Sequence, residues 1–128
     1  MRYLLDTDWI INLLVGEKTA EERIQQLNPE EIVISLVTVA EIYESAFTYA
    51  NPQAHIQRFR AFLNHFQLLN LNLPIIEKFA EVRAYLRRRG EIISDFDIVL
   101  AATALHYDLI VLTFNKKHFA RIPDLKIY

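Results

Sequence analysis

Tyr3-Leu4-Leu5-Asp6-Thr7-Asp8-Trp9-Ile10-Ile11 decides how the rest of this chain is read. An apolar run stops abruptly at a carboxylate, a hydroxyl and a second carboxylate, and apolar residues then resume at helical spacing. The pattern predicts a short buried strand, a turn and a helix start. Acids at such a junction stand at the carboxyl end of a strand, the edge where open α/β sheets keep their ligands. Further acids brought to the same edge would jointly hold a metal ion.

Outward from that stretch, strand-like and helix-like segments alternate. Arg2–Leu5 read as the first strand, and Thr7 or Asp8 caps a helix to about Val15, with Gly16 as its stop. Thr19–Leu27 form a second short helix, ended by Asn28-Pro29. Glu31–Ser35 carry the β-branched run Ile32, Val33 and Ile34. Ser35 then caps a helix to about Tyr49 whose apolar stripe is Leu36, Val39, Ala40, Tyr43 and Phe47. Asn51-Pro52 open a helix with Ile56, Phe59, Phe62, Leu63 and Phe66 on one face. Leu68–Leu71 is a brief strand, and Pro74 starts a helix carrying Ile75, Phe79, Val82 and Leu86. That helix closes in Arg87-Arg88-Arg89-Gly90, where basic side chains suit the dipole and Gly the left-handed cap. From about Ser94 to His106 the chain is apolar nearly all round, so this helix belongs at the centre of the domain. Leu109–Thr113 and Leu125–Tyr128 supply two more strands. The alternation predicts an α/β, three-layer fold: a central, mostly parallel sheet of about five short strands flanked by helices.

The bulk properties agree with one domain over residues 1–128. Of the 128 residues 52% are apolar, with two Gly and four Pro, which suits a compact, helix-rich globule rather than a disordered chain. A net charge of −2, from 14 basic and 16 acidic residues, gives no general affinity for polyanions. Nucleic acid would have to be met by a local basic patch or by metal. Cys is absent, which excludes disulfides, thiol nucleophiles and zinc–thiolate sites. Asp6 and Asp8 break the early apolar run, so no signal peptide is expected. No stretch approaches the ~20 apolar residues of a membrane span. The expectation is a soluble, cytoplasmic protein without a membrane partner.

The chemistry lies in the residues at the carboxyl end of each strand. Asp6 and Asp8 come after the first. Ser35 ends the second, with Glu41 less than two turns into the next helix. Thr113 and Asn115 come after the fourth, with His118 shortly beyond. Asp95 and Asp97 open the buried helix that feeds that strand. In a parallel sheet these carboxyl ends share one edge. Converging carboxylates repel one another in a partly desolvated cleft, and either protons or a hard divalent cation relieve the repulsion. Oxygen donors without Cys suit Mg²⁺ or Mn²⁺. Metal-assisted phosphodiester hydrolysis is the matching reaction class.

Ordinary structural roles compete with this reading. Asp6 and Asp8 also suit a cap and a first-turn acid. On a helical wheel Glu41 falls with Val37, Glu44 and Ser45, away from the apolar stripe, among solvated residues. Ser94 and Asp97 have capping-box spacing, and periodicity does not separate Asp97 from Asp95. Asn115 suits a turn. His55, His65 and His106 read as plain helix residues, and Phe59, Phe62 and Phe66 as core or partner surface.

Taken together, the motifs resemble those of PIN-domain proteins, and specifically the VapC-like toxins of bacterial type II toxin–antitoxin pairs. The resemblance runs from Tyr3 to Tyr128 in order. Its motifs are Leu4-Leu5-Asp6-Thr7-Asp8, Ile34-Ser35-Leu36-Val37-Thr38-Val39-Ala40-Glu41, Asp95-Phe96-Asp97-Ile98-Val99-Leu100-Ala101-Ala102-Thr103-Ala104 and Val111-Leu112-Thr113-Phe114-Asn115-Lys116-Lys117-His118-Phe119. The resemblance implies a Mg²⁺- or Mn²⁺-dependent endoribonuclease with an acidic cleft, usually a homodimer, neutralised by a cognate antitoxin. Carried over by position, the catalytic set is Asp6, Glu41, Asp97 and Asn115. The resemblance chooses Asp97 over Asp95 and returns Glu41 to the site. It makes Asp6 and Asp97 metal ligands, Glu41 a further ligand or a positioner of the attacking water, and Asn115 a water-bridged contact. Thr7 and Thr113 would orient carboxylates, with Asp8 as an outer helper. Lys116, Lys117, Arg121 and Arg87 to Arg89 are candidate RNA phosphate contacts.

One position departs from the pattern. Many relatives have an acid immediately before the Phe at the place of Phe119; here it is His118, with Asp8 or Asp95 as the acids that would compensate. A catalytically weak, RNA-binding PIN-like module is therefore one alternative. Another is a phosphotransferase of the haloacid-dehalogenase type, since Asp6-Thr7-Asp8 gives its Asp-x-Asp opening. Ile10 stands where that family continues with Thr or Val.

Overall fold

Strands of two to four residues carry too few hydrogen bonds to stand alone, so this sheet depends on helices covering both faces. The computed structural model describes residues 1–128. Along the chain run β1 (Tyr3–Leu5), α1 (Thr7–Leu14), α2 (Lys18–Gln25), a 3₁₀ turn (Pro29–Glu31), β2 (Ile32–Ser35) and α3 (Leu36–Ala46). They are followed by α4 (Pro52–Leu63), β3 (Gln67–Leu69), α5 (Leu73–Arg88), α6 (Asp95–Tyr107), β4 (Ile110–Leu112), α7 (Lys116–Phe119) and β5 (Lys126–Ile127). The strand order is β3-β2-β1-β4-β5, and every neighbouring pair is parallel. The order reverses between β1 and β4, which makes the gap beyond their carboxyl ends the switch point of a doubly wound sheet. No helix is long and apolar enough to cross a membrane.

The pleat distributes side chains to two cores. Leu4, Val33 and Val111 face α5, α6 and α7, together with Leu86, Ile98 and Phe119. Their neighbours Tyr3, Leu5, Ile32, Ile34 and Leu112 face the other way, against Trp9, Ile10, Ile42 and Phe59 of α1, α3 and α4. The three layers expected from the alternation are therefore present. In α6, Ile98, Leu100, Ala101, Ala102, Thr103 and Ala104 are all buried, as a central helix apolar on all sides must be. Ser35, Asn72 and Ser94 accept N–H bonds at the starts of α3, α5 and α6. Gly90, at φ +67°, takes the left-handed turn that ends α5.

Several boundaries differ from the sequence reading. The second helix starts earlier, at Lys18, because Glu17 caps it by accepting from Thr19 and Ala20 N–H groups. The third ends at Ala46 rather than Tyr49, and Phe66 lies beyond α4. The larger correction concerns the face of α3. Leu36 and Phe47, expected inside, are exposed by 40% and 64%, and Ala40 is exposed too. The buried row is Thr38, Ile42 and Ala46. The helix is thus turned by roughly one residue, ~100° about its axis, from the face its largest apolar residues suggest. This row faces inward where α3 packs against α1, α4 and α6.

Candidate active site

Asp6 ends β1 and begins α1, so the fold places it at the switch point. Its backbone N–H donates to Leu112 O (2.9 Å), joining the ends of the two strands that flank the crevice. Each oxygen of its carboxylate accepts one bond and keeps a further lone pair: Oδ1 accepts from Thr7 N–H (2.8 Å) as the cap of α1, and Oδ2 accepts from the Thr113 hydroxyl (2.8 Å). Thr113 Oγ1 also accepts from Asn115 N–H (2.9 Å), which fixes the turn after β4.

Asp8 lies one residue into α1 and reaches the same turn. Its Oδ2 accepts from Phe114 N–H at 3.2 Å and stands 3.4 Å from the Thr113 hydroxyl, whose one proton serves the nearer Asp6. Its Oδ1 is buried with no hydrogen-bond partner. Phe114 in turn stacks on Trp9, with ring centroids 4.5 Å apart and planes 19° apart. Neither the stack nor the Asp8–Phe114 tie has a signature in the sequence pattern.

Glu41 points into this cluster. Its Oε1 accepts from the Thr7 hydroxyl at 2.6 Å, across 34 residues of sequence. The rotation of α3 accounts for this, since Glu41 lies at the border of the buried row and is half-buried. A helical wheel centred on the largest apolar residues places it among solvated positions only because it is centred on the wrong face.

At α6 the backbone of Asp97 takes the cap and its carboxylate is left for other partners. Ser94 Oγ accepts from Asp97 N–H (3.2 Å), while the Asp97 carboxylate makes no return bond to Ser94. It lies instead 3.5 Å from His118 Nδ1, and that nitrogen is 2.7 Å from Asn115 Nδ2. Asp95 goes elsewhere: it accepts from Arg83 Nε (2.8 Å) on α5, an exposed pair that brings the end of α5 beside the start of α6. Arg83 was not among the sequence candidates. Arg87, Arg88 and Arg89 are exposed just beyond it, and Lys116 and Lys117 are exposed on α7. Arg89 is paired with Glu91 (3.4 Å).

Burial and mutual repulsion set the charge of the cluster. Asp6 is only 5% exposed. Burial, and next the charge of Asp8, push its pKa from 3.8 up to about 7, against the bonds from Thr113 and Thr7; Asp97 adds to the rise. Burial also raises Asp8, opposed by the bond from Phe114 N–H. Glu41 is raised chiefly by burial and further by Asp97, with the Thr7 bond opposing. Fully ionised, such a cluster lacks a counter-charge. The buried, unpartnered Asp8 oxygen and the all-oxygen donors Asp6 and Asp97 fit a hard divalent cation. No three acids or histidines enclose a ready cage. An ion such as Mg²⁺, which keeps several waters and uses one or two carboxylates, needs none.

The PIN-domain family model matches residues 3–125. This chain belongs to the PIN-domain family. Among PIN proteins its relatives are of the VapC type. Ribonuclease VapC1 of Haemophilus influenzae (strain R2866) is 32% identical over 98% of this chain and 96% of that relative. The tRNA(fMet)-specific endonuclease VapC of Salmonella typhimurium is 26% identical over 99% of this chain and 96% of its own length. The solved VapBC-1 of nontypeable Haemophilus influenzae has a TM-score of 0.89 at 30% identity, covering 100% of this chain and 97% of that one. The PIN assignment accounts for the doubly wound order and leaves the haloacid-dehalogenase alternative without support.

Proposed function

We propose that this PIN protein, acting as one domain over residues 1–128, is a metal-dependent endoribonuclease toxin neutralised by a cognate antitoxin. The observation that carries the reading is the meeting of Asp6, Asp8, Glu41 and Asp97 at the switch point, with Asp6 at a pKa of about 7. The names of its VapC relatives support a ribonuclease, and the VapBC title supports an antitoxin partner. Asp6 and Asp97 would hold Mg²⁺ or Mn²⁺; such an ion, when bound, lowers the pKa of its water and neutralises charge on the phosphodiester under attack.

The remaining roles belong to the chain itself. The Thr113 hydroxyl fixes Asp6, and the Thr7 hydroxyl takes one oxygen of Glu41, leaving the other to accept a proton from the attacking water. The raised pKa of Glu41 brings it nearer to the operating pH of a general base. Asn115 contributes through water, because its amide nitrogen already faces His118. Lys116, Lys117, Arg121 and the arginines at the end of α5 would meet RNA phosphates. The substrate class is structured RNA, for which the tRNA endonuclease named among the relatives is the pointer. An antitoxin Arg or Lys entering the cleft would supply the missing positive charge directly.

The test is incubation of end-labelled tRNA with the protein in Mg²⁺, Mn²⁺ or chelator. Cleavage is expected with metal alone, and not in folded Asp6→Asn or Asp97→Asn proteins. Variants that cut like the wild type refute the site; a wild type that retards RNA without cutting makes it a binding module.

A further inference from the structure

The donor that α7 offers to the acid cleft is a nitrogen. α7 is a single turn, and its last residue, Phe119, is fully buried beneath α5 and α6, which pins His118 at the mouth of the cleft. The side chain of His118 is 43% exposed, that of Asp97 17%. His118 Nδ1 stands between two groups already placed in the site, 2.7 Å from Asn115 Nδ2 and 3.5 Å from Asp97 Oδ2. In the tautomer that accepts from the Asn115 amide, Nδ1 carries the lone pair a metal ion needs and the ring proton stands on Nε2. No carboxylate is available from this turn, whose other polar residues are Lys116 and Lys117. An ion held by Asp97 therefore meets imidazole where an all-oxygen site would offer a further acid.

Resting on the reading of the cleft as the metal site, we propose that His118 Nδ1 ligates the ion and turns the preference of the site from Mg²⁺ toward Mn²⁺. Two physical effects act in the same direction. Mg²⁺ is a hard cation that exchanges its water reluctantly and takes oxygen donors. Mn²⁺, the first divalent ion of the series that takes nitrogen donors, accepts an imidazole more readily than Mg²⁺ does, although later ions of the series bind such sites tighter still. A neutral ring also removes one negative charge from the cluster, and that loss falls hardest on the ion bound by charge alone. Ligation by Nδ1 would replace its 2.7 Å contact with Asn115 Nδ2 and leave that amide free to donate elsewhere.

The experiment uses the whole chain with Mn²⁺ and Mg²⁺ in titration calorimetry, and pulsed EPR of the Mn²⁺-loaded protein with ¹⁵N-labelled histidine. The expected wild type shows a histidine nitrogen coupled to Mn²⁺ and tighter binding of Mn²⁺ than of Mg²⁺. His118→Asp should keep Mn²⁺, lose the coupling, gain Mg²⁺ affinity and narrow the preference about tenfold. Asp97-dependent Mn²⁺ binding without nitrogen coupling overturns the ligand assignment while leaving the cleft in place. Tighter Mn²⁺ binding by His118→Ala overturns it too, by showing that the ring competes with the ion. Mn²⁺ binding that survives both Asp6→Asn and Asp97→Asn removes the cleft reading, and this inference with it.

Discussion

Asp6 and Asp97 stand at the first turns of two helices, α1 and α6, and the fold holds them in opposite ways. Asp6 is itself the cap of α1, so one oxygen serves the helix and the other serves Thr113. It is buried, and its pKa is pushed up to about 7. At α6 the capping falls to Ser94, a neutral residue, and the Asp97 carboxylate accepts no hydrogen bond from the protein. One acid is built into the scaffold at a cost in charge; the other is displayed from it. Stability and function should therefore be coupled at Asp6 and separable at Asp97.

Neutralising each acid in turn should have the largest effect. Both Asp6→Asn and Asp97→Asn should lower metal-dependent cleavage by roughly a hundredfold or more, since each removes several kcal/mol of charge stabilisation. Their melting temperatures should then diverge. Asn still caps a helix and still meets Thr113, so Asp6→Asn should raise the metal-free melting temperature at pH 8 by about 3–6 °C. Asp97→Asn should leave it nearly unchanged. Equal shifts in the two variants would remove the distinction.

Thr113→Val tests the scaffold side alone. It leaves Asp6 Oδ2 and the Asn115 N–H without their partner, and should cost ~1–3 kcal/mol in urea unfolding. A pH series reads the same contrast. Asp6 titrates at about 7 in the fold against a reference of 3.8, so its contribution to metal-free stability is complete below 3.8 and is lost as pH rises through 7. Metal requires the ionised form, so affinity should run the other way, rising about tenfold per unit toward pH 7 for each proton displaced. Calorimetry in buffers of different ionisation enthalpy should register the released protons. At α6, Ser94→Ala should cost ~1 kcal/mol of stability through the lost cap. The smallest effect is expected from Arg83→Ala, which breaks an exposed pair with Asp95 and should stay below ~1 kcal/mol by thermal melting.

Much of the site is legible in the chain because its parts are local. Asp6 announces itself by ending an apolar strand, Ser94 by its place before an all-apolar helix, and Ser35 and Gly90 by their places at helix ends. Spacing alone leaves Asp97 level with Asp95, and only the family resemblance chooses it. Asp8 is harder to rank: its partner, Phe114 N–H, comes from a turn after β4. Glu41 falls on the solvated side of a helical wheel because the wheel follows the largest apolar residues, whereas α3 buries Thr38, Ile42 and Ala46. The resemblance to PIN proteins offers Glu41 for the site and Thr7 as an orienting hydroxyl, but that the two pair with each other is visible only in the folded chain.

The alternation of strands and helices, the caps and the central place of α6 are all dictated by the order of amino acids. These depend on backbone geometry within one or two turns, which neighbouring residues control. Only packing settles the rotation of α3, the diversion of Asp95 to Arg83, and the approach of His118 to Asp97. Each of these depends on how elements distant in sequence meet, and a modest rotation of one helix exchanges a solvated carboxylate for one inside the cleft.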